Sequence, residues 1–145
     1  MTKFYEDIEV SDRWRTDACE VTREEMVGFA HKYDPQAMHV DEEGAKDTFF
    51  GGIVASGWFT ASVSMRLVVD GFLNQYAVVG AMGVDGLRWH EPVRPGDVLF
   101  VRGEVVEKES WDESRGMVRY EQETVREEDE VVMTLSADVL FERRG

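Results

Sequence analysis

The chain has 145 residues and a formal net charge of −14, from 16 basic and 30 acidic side chains. That length fits one domain, residues 1–145, with room for one core, and an apolar fraction of 43% with 11% aromatics excludes a disordered chain. The acidic balance argues against nucleic acid or an anionic membrane as the main partner. The single Cys19 excludes an internal disulfide framework and fits the reducing cytoplasm.

Met1 to Asp7 turns acidic at once and has no apolar h-region, so it reads as no targeting segment. Arg13 to Val21 reads as a strand. Thr22 and Glu25 have capping-box spacing and open a helix whose apolar stripe is Met26, Val27, Phe29, Ala30 and Tyr33. Pro35 ends it, because the residue before a proline is pushed out of the α region. Asp41 to Asp47 reads as a short acidic helix.

Ile53 to about Leu73 is helical by length and long enough to span a bilayer. It carries Arg66, Asp70, Ser56, Thr60, Ser62 and Ser64, however, so it reads as a helix inside a soluble fold. Trp58, Phe59, Val63, Met65, Leu67, Val68 and Phe72 lie on several of its faces, which predicts burial on most sides, with Trp58 and Met65 in the core. Gly71 marks its end.

The period then changes to two. Val78 to Trp89 is a strand with glycines at 80, 83 and 86 that predict bends or bulges. Pro92 to Asp97 is a turn, and Val98 to Lys108 and Met117 to Arg126 are strands. In the last strand Val131, Met133, Leu135, Ala137, Val139 and Phe141 alternate with polar residues, the mark of an antiparallel sheet with one buried face. One strand, then helices, then a run of strands is α+β. A sheet curled around the long helix would cover both apolar surfaces at once.

Two segments carry chemistry. In Tyr33-Asp34-Pro35-Gln36-Ala37-Met38-His39 a carboxylate and an imidazole stand five residues apart around a proline turn. Phe50-Gly51-Gly52-Ile53-Val54-Ala55-Ser56-Gly57 is a Gly-rich lead into the long helix. Together they offer a proton-transfer pair and a helix N-terminus able to polarise a carbonyl, which suits addition of water to an activated double bond. Taken singly, an Asp before Pro is ordinary turn chemistry and a lone His is usually structural.

Other chemistries find less support. Three histidines without close pairing and one cysteine do not make a zinc site, and Glu121 to Glu130 lacks calcium-loop spacing. Gly-x-Ser-x-Gly is absent. Cys19 reads as an inert thiol, His31 as a helix C-terminal cation and His90 as a surface residue.

With Arg88-Trp89 and Pro92-Val93-Arg94-Pro95-Gly96-Asp97 added in the right order, the chain from about Phe4 onward resembles the MaoC-like dehydratases and (R)-specific enoyl-CoA hydratases. It departs from the family's Asp-x-Asn-Pro-x-His in having Pro35 directly after Asp34, and it has Ser56 where many members have His. The resemblance implies a hot-dog fold and reversible hydration of a trans-2-enoyl-CoA to a 3-hydroxyacyl-CoA of fatty acid metabolism. Asp34 and His39 would be the acid–base pair, or would jointly activate one water. The Gly57 N–H would polarise the thioester, where a glycine lets the ligand come close. Ser56 would cap the helix or support the pair, and Trp58 would be near enough to line an acyl tunnel. It implies no cofactor beyond the coenzyme A thioester substrate, whose phosphates Arg88, Arg94 or Arg66 would meet, with Arg115 and Arg119 behind them. It also implies a homodimer or a dimer of dimers. The alternatives are an acyl-CoA thioesterase, for which the long helix offers only Asp70 near its far end, and a non-catalytic acyl-CoA-binding subunit.

Overall fold

The elements of the computed structural model, which describes residues 1–145, follow the change of period in the sequence. After a 3-10 turn at Tyr5–Asp7 come β1 (Arg13–Arg15), β2 (Cys19–Glu20), α1 (Arg23–Tyr33), α2 (Ala37–Val40), α3 (Glu42–Ala45) and the long α4 (Gly57–Gly71). Then follow β3 (Val78–Trp89), β4 (Val98–Ser110), β5 (Arg115–Arg126) and β6 (Glu130–Glu142). The strands form one antiparallel sheet in the order β1-β4-β5-β6-β3, with β2 also on β4.

The sheet is two-faced because its sequence alternates. On β5, Gly116, Val118, Tyr120, Gln122 and Thr124 are buried, while the residues between them reach solvent at least partly. The buried face packs on α4: Leu67 and Val68 of the helix and Phe72 just after it meet Val101, Val105, Val118, Tyr120, Val139 and Phe141. Each such side chain, fully buried, is worth about 1.5–3 kcal/mol. A second cluster (Met26, Ile53, Ala55, Phe59, Val93, Leu99 and Met133 among its members) ties α1 and the residues before α4 to the other end of the sheet. No helix is long and apolar enough to cross a membrane.

Several expectations change in detail, each for a local reason. The strand expected over 13–21 is split. Arg15 faces Arg102 and Cys19 faces Leu99, so one extra residue is inserted on this side. Thr16 bridges the gap: its N–H donates to Val101 O at 2.8 Å, and its hydroxyl accepts from Val101 N–H at 2.9 Å in place of a backbone carbonyl. The Thr22 hydroxyl does cap α1, accepting from Glu25 N–H at 3.2 Å. The Glu25 carboxylate meets that same hydroxyl at 2.9 Å, not the Thr22 backbone. The acidic helix is α3 alone, capped by Asp41, and α2 is an additional turn.

The long helix starts at Gly57, not at Ile53. Val54 N–H donates to Met38 O and Ala55 N–H to Val93 O, so residues 53–55 run extended between two neighbours. The helix is also less enclosed than expected. Trp58 and Met65 are 57% and 50% exposed, on a stripe with Ser62, Arg66 and Asp70 that the sheet does not cover. The bulges expected on β3 are present at Val78/Gly80, Ala81/Gly83 and Asp85/Arg88.

Trp14 clamps the far end of the core. It stacks on Phe72 at 4.7 Å and meets Tyr120 edge-on at 5.6 Å. Its ring lies over Gly103, where a Cβ would come within 2.2 Å of the indole. Gly103→Ala therefore overpacks this seat and is expected to cost about 1–3 kcal/mol. The check is a lower urea midpoint at unchanged m-value, and an unchanged midpoint would refute it.

Candidate active site

Pro35 decides the geometry of the first motif. α1 stops at Asp34, whose N–H closes the last turn on Ala30 O at 2.7 Å. The chain then turns through Gln36 into α2, with His39 N–H on Gln36 O at 2.8 Å. That turn folds His39 back onto Asp34, with Nε2 3.4 Å from Oδ2. His39 is buried, and its Nδ1 lies 2.8 Å from Val54 O. A carbonyl only accepts, so Nδ1 carries the hydrogen. Nε2 is left facing the carboxylate.

Both Asp34 oxygens are held. The Ser56 hydroxyl donates to Oδ2 at 2.7 Å, and the Gln36 side-chain amide donates to Oδ1 at 2.6 Å. These bonds, Ser56 first and Gln36 second, hold the Asp34 carboxyl below its usual range. Ser56 is fully buried and also caps α4, its hydroxyl accepting from Trp58 N–H at 3.3 Å. Gln36 was not foreseen, although a side-chain amide two residues after an Asp in a turn is a readable signal.

The Gly57 N–H has no partner within the chain, as expected of the first residue of a helix. The structure gives a further reason for glycine there. A Cβ would fall 2.4 Å from the Trp89 indole, whose Nε1–H donates to Gly57 O at 2.9 Å. Residue 57 is small to seat Trp89, a contact across 32 positions that no local pattern announces.

Asp34, His39 and Gly57 share the wall of one chamber of about 540 Å3 with Met38, Phe50, Val54, Thr60, Trp58 and Trp89. Trp58 meets Trp89 edge-on at 5.2 Å, so it lines this chamber and does not lie in the core. His90 borders it too, exposed and with Nε2 2.8 Å from Thr134 Oγ1. A larger groove of about 760 Å3 lies on the sheet face turned away from α4. Two ion pairs cross it, Arg13 with Glu104 and Arg102 with Glu123, both at 2.9 Å.

The arginines scatter. Arg94 is not on the chamber wall, but it donates at 2.9 Å to the carbonyl of Phe50, which is. Arg88 sits between Leu87 and Trp89, which turn toward the helix side, so it faces the opposite way. Arg66 pairs with Asp70 at 2.7 Å on the exposed stripe of α4, outside the chamber. Arg115 pairs with Asp112, and Arg119 with Asp85 and Asp138.

An Asp held ionised by the fold contributes stability above its usual pKa of 3.8, and loses it as pH falls through the depressed value. In Ser56→Ala and in Gln36→Leu the Asp34 titration followed by carboxyl NMR is expected to move up toward 3.8, further for Ser56→Ala. Acid unfolding should begin at correspondingly higher pH. A titration that stays in place in both variants would show that these bonds do not set it.

Three likenesses bear on the family and the fold. YdeM of Bacillus subtilis (strain 168) is 30% identical over 139 residues, 95% of this chain and 98% of that protein. The crystal structure of the MaoC-like dehydratase from Rhodospirillum rubrum is 36% identical, with a TM-score of 0.90 over 99% of each chain. The R-hydratase PhaJ1 from Pseudomonas aeruginosa, at 21% identity, shares the fold with a TM-score of 0.77 over 97% of this chain and 86% of that one. Residues 9–127 match the MaoC-like domain, and with its six-stranded antiparallel sheet packed on one long helix the chain belongs to the MaoC-like family of hot-dog dehydratases and hydratases.

Proposed function

We propose that the protein reversibly hydrates a trans-2-enoyl-CoA to a 3-hydroxyacyl-CoA, of (R) configuration, with Asp34 and His39 acting on one water. The observation that carries this reading is the facing pair itself: the Asp34 carboxyl, held below its usual range, and His39 Nε2 3.4 Å apart on a chamber wall. A water seated against both atoms donates one hydrogen to each and keeps a lone pair for C3. As its oxygen bonds to C3, the C2=C3 electron pair moves toward the thioester oxygen, which the Gly57 N–H and the α4 dipole favour. The group that takes the water's proton hands it to C2, so one water supplies both added atoms. Coenzyme A is part of the substrate, and no resident cofactor enters the scheme. Arg94 is the arginine best placed near the chamber mouth to meet a phosphate.

A thioesterase needs a carboxylate aimed at the thioester carbonyl from the helix. Asp70 lies outside the chamber and is bound to Arg66, so that reading is weaker. A non-catalytic acyl-CoA-binding subunit would not need the buried His39 held against Asp34.

We also propose a homodimer. One edge of the sheet is β3, where Val79, Met82 and Val84 are exposed, and Trp58 and Met65 of α4 are exposed as well. A long apolar edge without a partner is an aggregation hazard.

Asp34→Asn and His39→Ala are each expected to lower crotonyl-CoA hydration, read by loss of the enoyl absorbance, by about 10²–10⁴-fold. Wild-type rates in both would refute the site. Thiol release from saturated acyl-CoAs should be absent in the wild type. Light scattering should give twice the chain mass, falling toward the monomer in Val84→Asp; a wild-type monomer would refute the dimer.

A further inference from the structure

Three hydroxyls lie along the middle of α4, and two of them are satisfied. Ser62 donates to Trp58 O at 2.8 Å, one turn back. Ser64 donates to Thr60 O at 2.7 Å and meets Thr124 Oγ1 at 2.6 Å. Such back-bonding to the carbonyl four residues earlier is the default for a helical hydroxyl. Thr60 is the exception. Its backbone N–H bonds to Ser56 O at 3.2 Å, but its hydroxyl has no partner in the chain.

This hydroxyl is also not walled in. Thr60 is only 2% exposed, yet the one polar side-chain atom both sealed from solvent and unpartnered is Trp14 Nε1. The small exposed part of Thr60 opens on the chamber, whose wall it forms together with Asp34, His39 and Gly57. Leaving a buried hydroxyl unpaired costs roughly 1–3 kcal/mol, which a bonded ligand recovers. Position 60 is three residues beyond Gly57, and residues three apart share a helix face, one above the other. The Gly57 N–H and the Thr60 hydroxyl are therefore the two uncommitted donors that α4 turns to the same space. The neighbouring Trp58 N–H is taken by Ser56 Oγ and the Phe59 N–H by Ser56 O.

We propose that the Thr60 hydroxyl is the second donor to the thioester oxygen, completing with the Gly57 N–H a two-donor oxyanion site. This rests on the enoyl-CoA hydration reading above. As the water oxygen bonds to C3, the π pair of C2=C3 shifts toward C1 and its oxygen gains negative charge. Thr60 shortens its hydrogen bond to that oxygen and keeps its own proton throughout. When C2 takes the water's proton the pair returns to the C–H bond and the carbonyl reforms. Atoms and charge balance with water as the only added reactant.

The test uses Thr60→Val, which keeps the β-branched shape without the hydroxyl, with Thr60→Ala as a second hydroxyl-free variant and Thr60→Ser as the conservative rescue. On crotonyl-CoA, kcat is expected to fall about 100-fold in Thr60→Val and Thr60→Ala, with KM within about threefold. Thr60→Ser should hold kcat within about threefold of the wild type. The absorbance of bound dimethylaminocinnamoyl-CoA reports carbonyl polarisation directly: its red shift should shrink in the hydroxyl-free variants and persist in Thr60→Ser, a change that a merely structural role would not produce. If Thr60→Val keeps wild-type kcat, or binds the chromophore with the full red shift, while Asp34→Asn is inactive, the Thr60 assignment falls and the hydration reading stands. If Asp34→Asn is fully active as well, both fall together.

Discussion

Ser56 is the joint on which the site depends. One fully buried hydroxyl donates to Asp34 Oδ2 and accepts from Trp58 N–H, while its carbonyl takes the N–H groups of Phe59 and Thr60. A hydroxyl can do both jobs because it has one hydrogen and two lone pairs. The bond to Asp34 fixes that carboxylate, and the bond to Trp58 fixes the start of α4. The peptide between Ser56 and Gly57 carries the free N–H. The Asp34 carboxylate and the free Gly57 N–H are thus both positioned by one residue's geometry, and displacing Ser56 would disturb both.

The surroundings of that joint are tied down at long range. Ala55 N–H reaches Val93 O and Val54 N–H reaches Met38 O, so the residues before α4 are stitched to the turn after β3 and to α2. Arg126 donates to Pro92 O at 2.6 Å and to Asp97 at 3.1 Å, holding that turn against the strands. Trp89 closes the frame by lying on Gly57 and bonding its carbonyl. Asp34 ends α1 and His39 stands on the short helical turn α2, which has little stability of its own. The precision of the pair comes from these neighbours.

The acidic composition and the site are compatible because the charges near the chemistry are few and managed. Asp34 keeps its charge chiefly through two neutral donors, Ser56 and then Gln36, with His39 a smaller contributor. A carboxylate held this way stays ionised without an arginine occupying the space where water and substrate must sit. The ion pairs of the molecule lie elsewhere and mostly at the surface, where each is worth little.

Much of the fold was written locally. The alternation of β5 and β6, the capping threonine of α1, the stop at Pro35 and the β3 bulges at glycine are consequences of residues within a few positions of one another, and sequence alone settles them. The order Asp34, His39, Ser56, Gly57 was likewise legible, because a proline turn and a helix start are local events. What sequence could not settle was everything decided by a partner far along the chain. Helix α4 begins at Gly57 because Met38 and Val93 claim the preceding N–H groups. The strand over 13–21 breaks because the Thr16 hydroxyl stands in for a carbonyl opposite Val101. Trp89 lies on Gly57 and leaves no room there for a Cβ, and Arg66 and Arg88 lie off the chamber because helix phase and strand alternation turn them away. Local pattern fixes what each segment is; only packing, which pairs atoms many residues apart, decides where each begins, which way its side chains face and which of them meet.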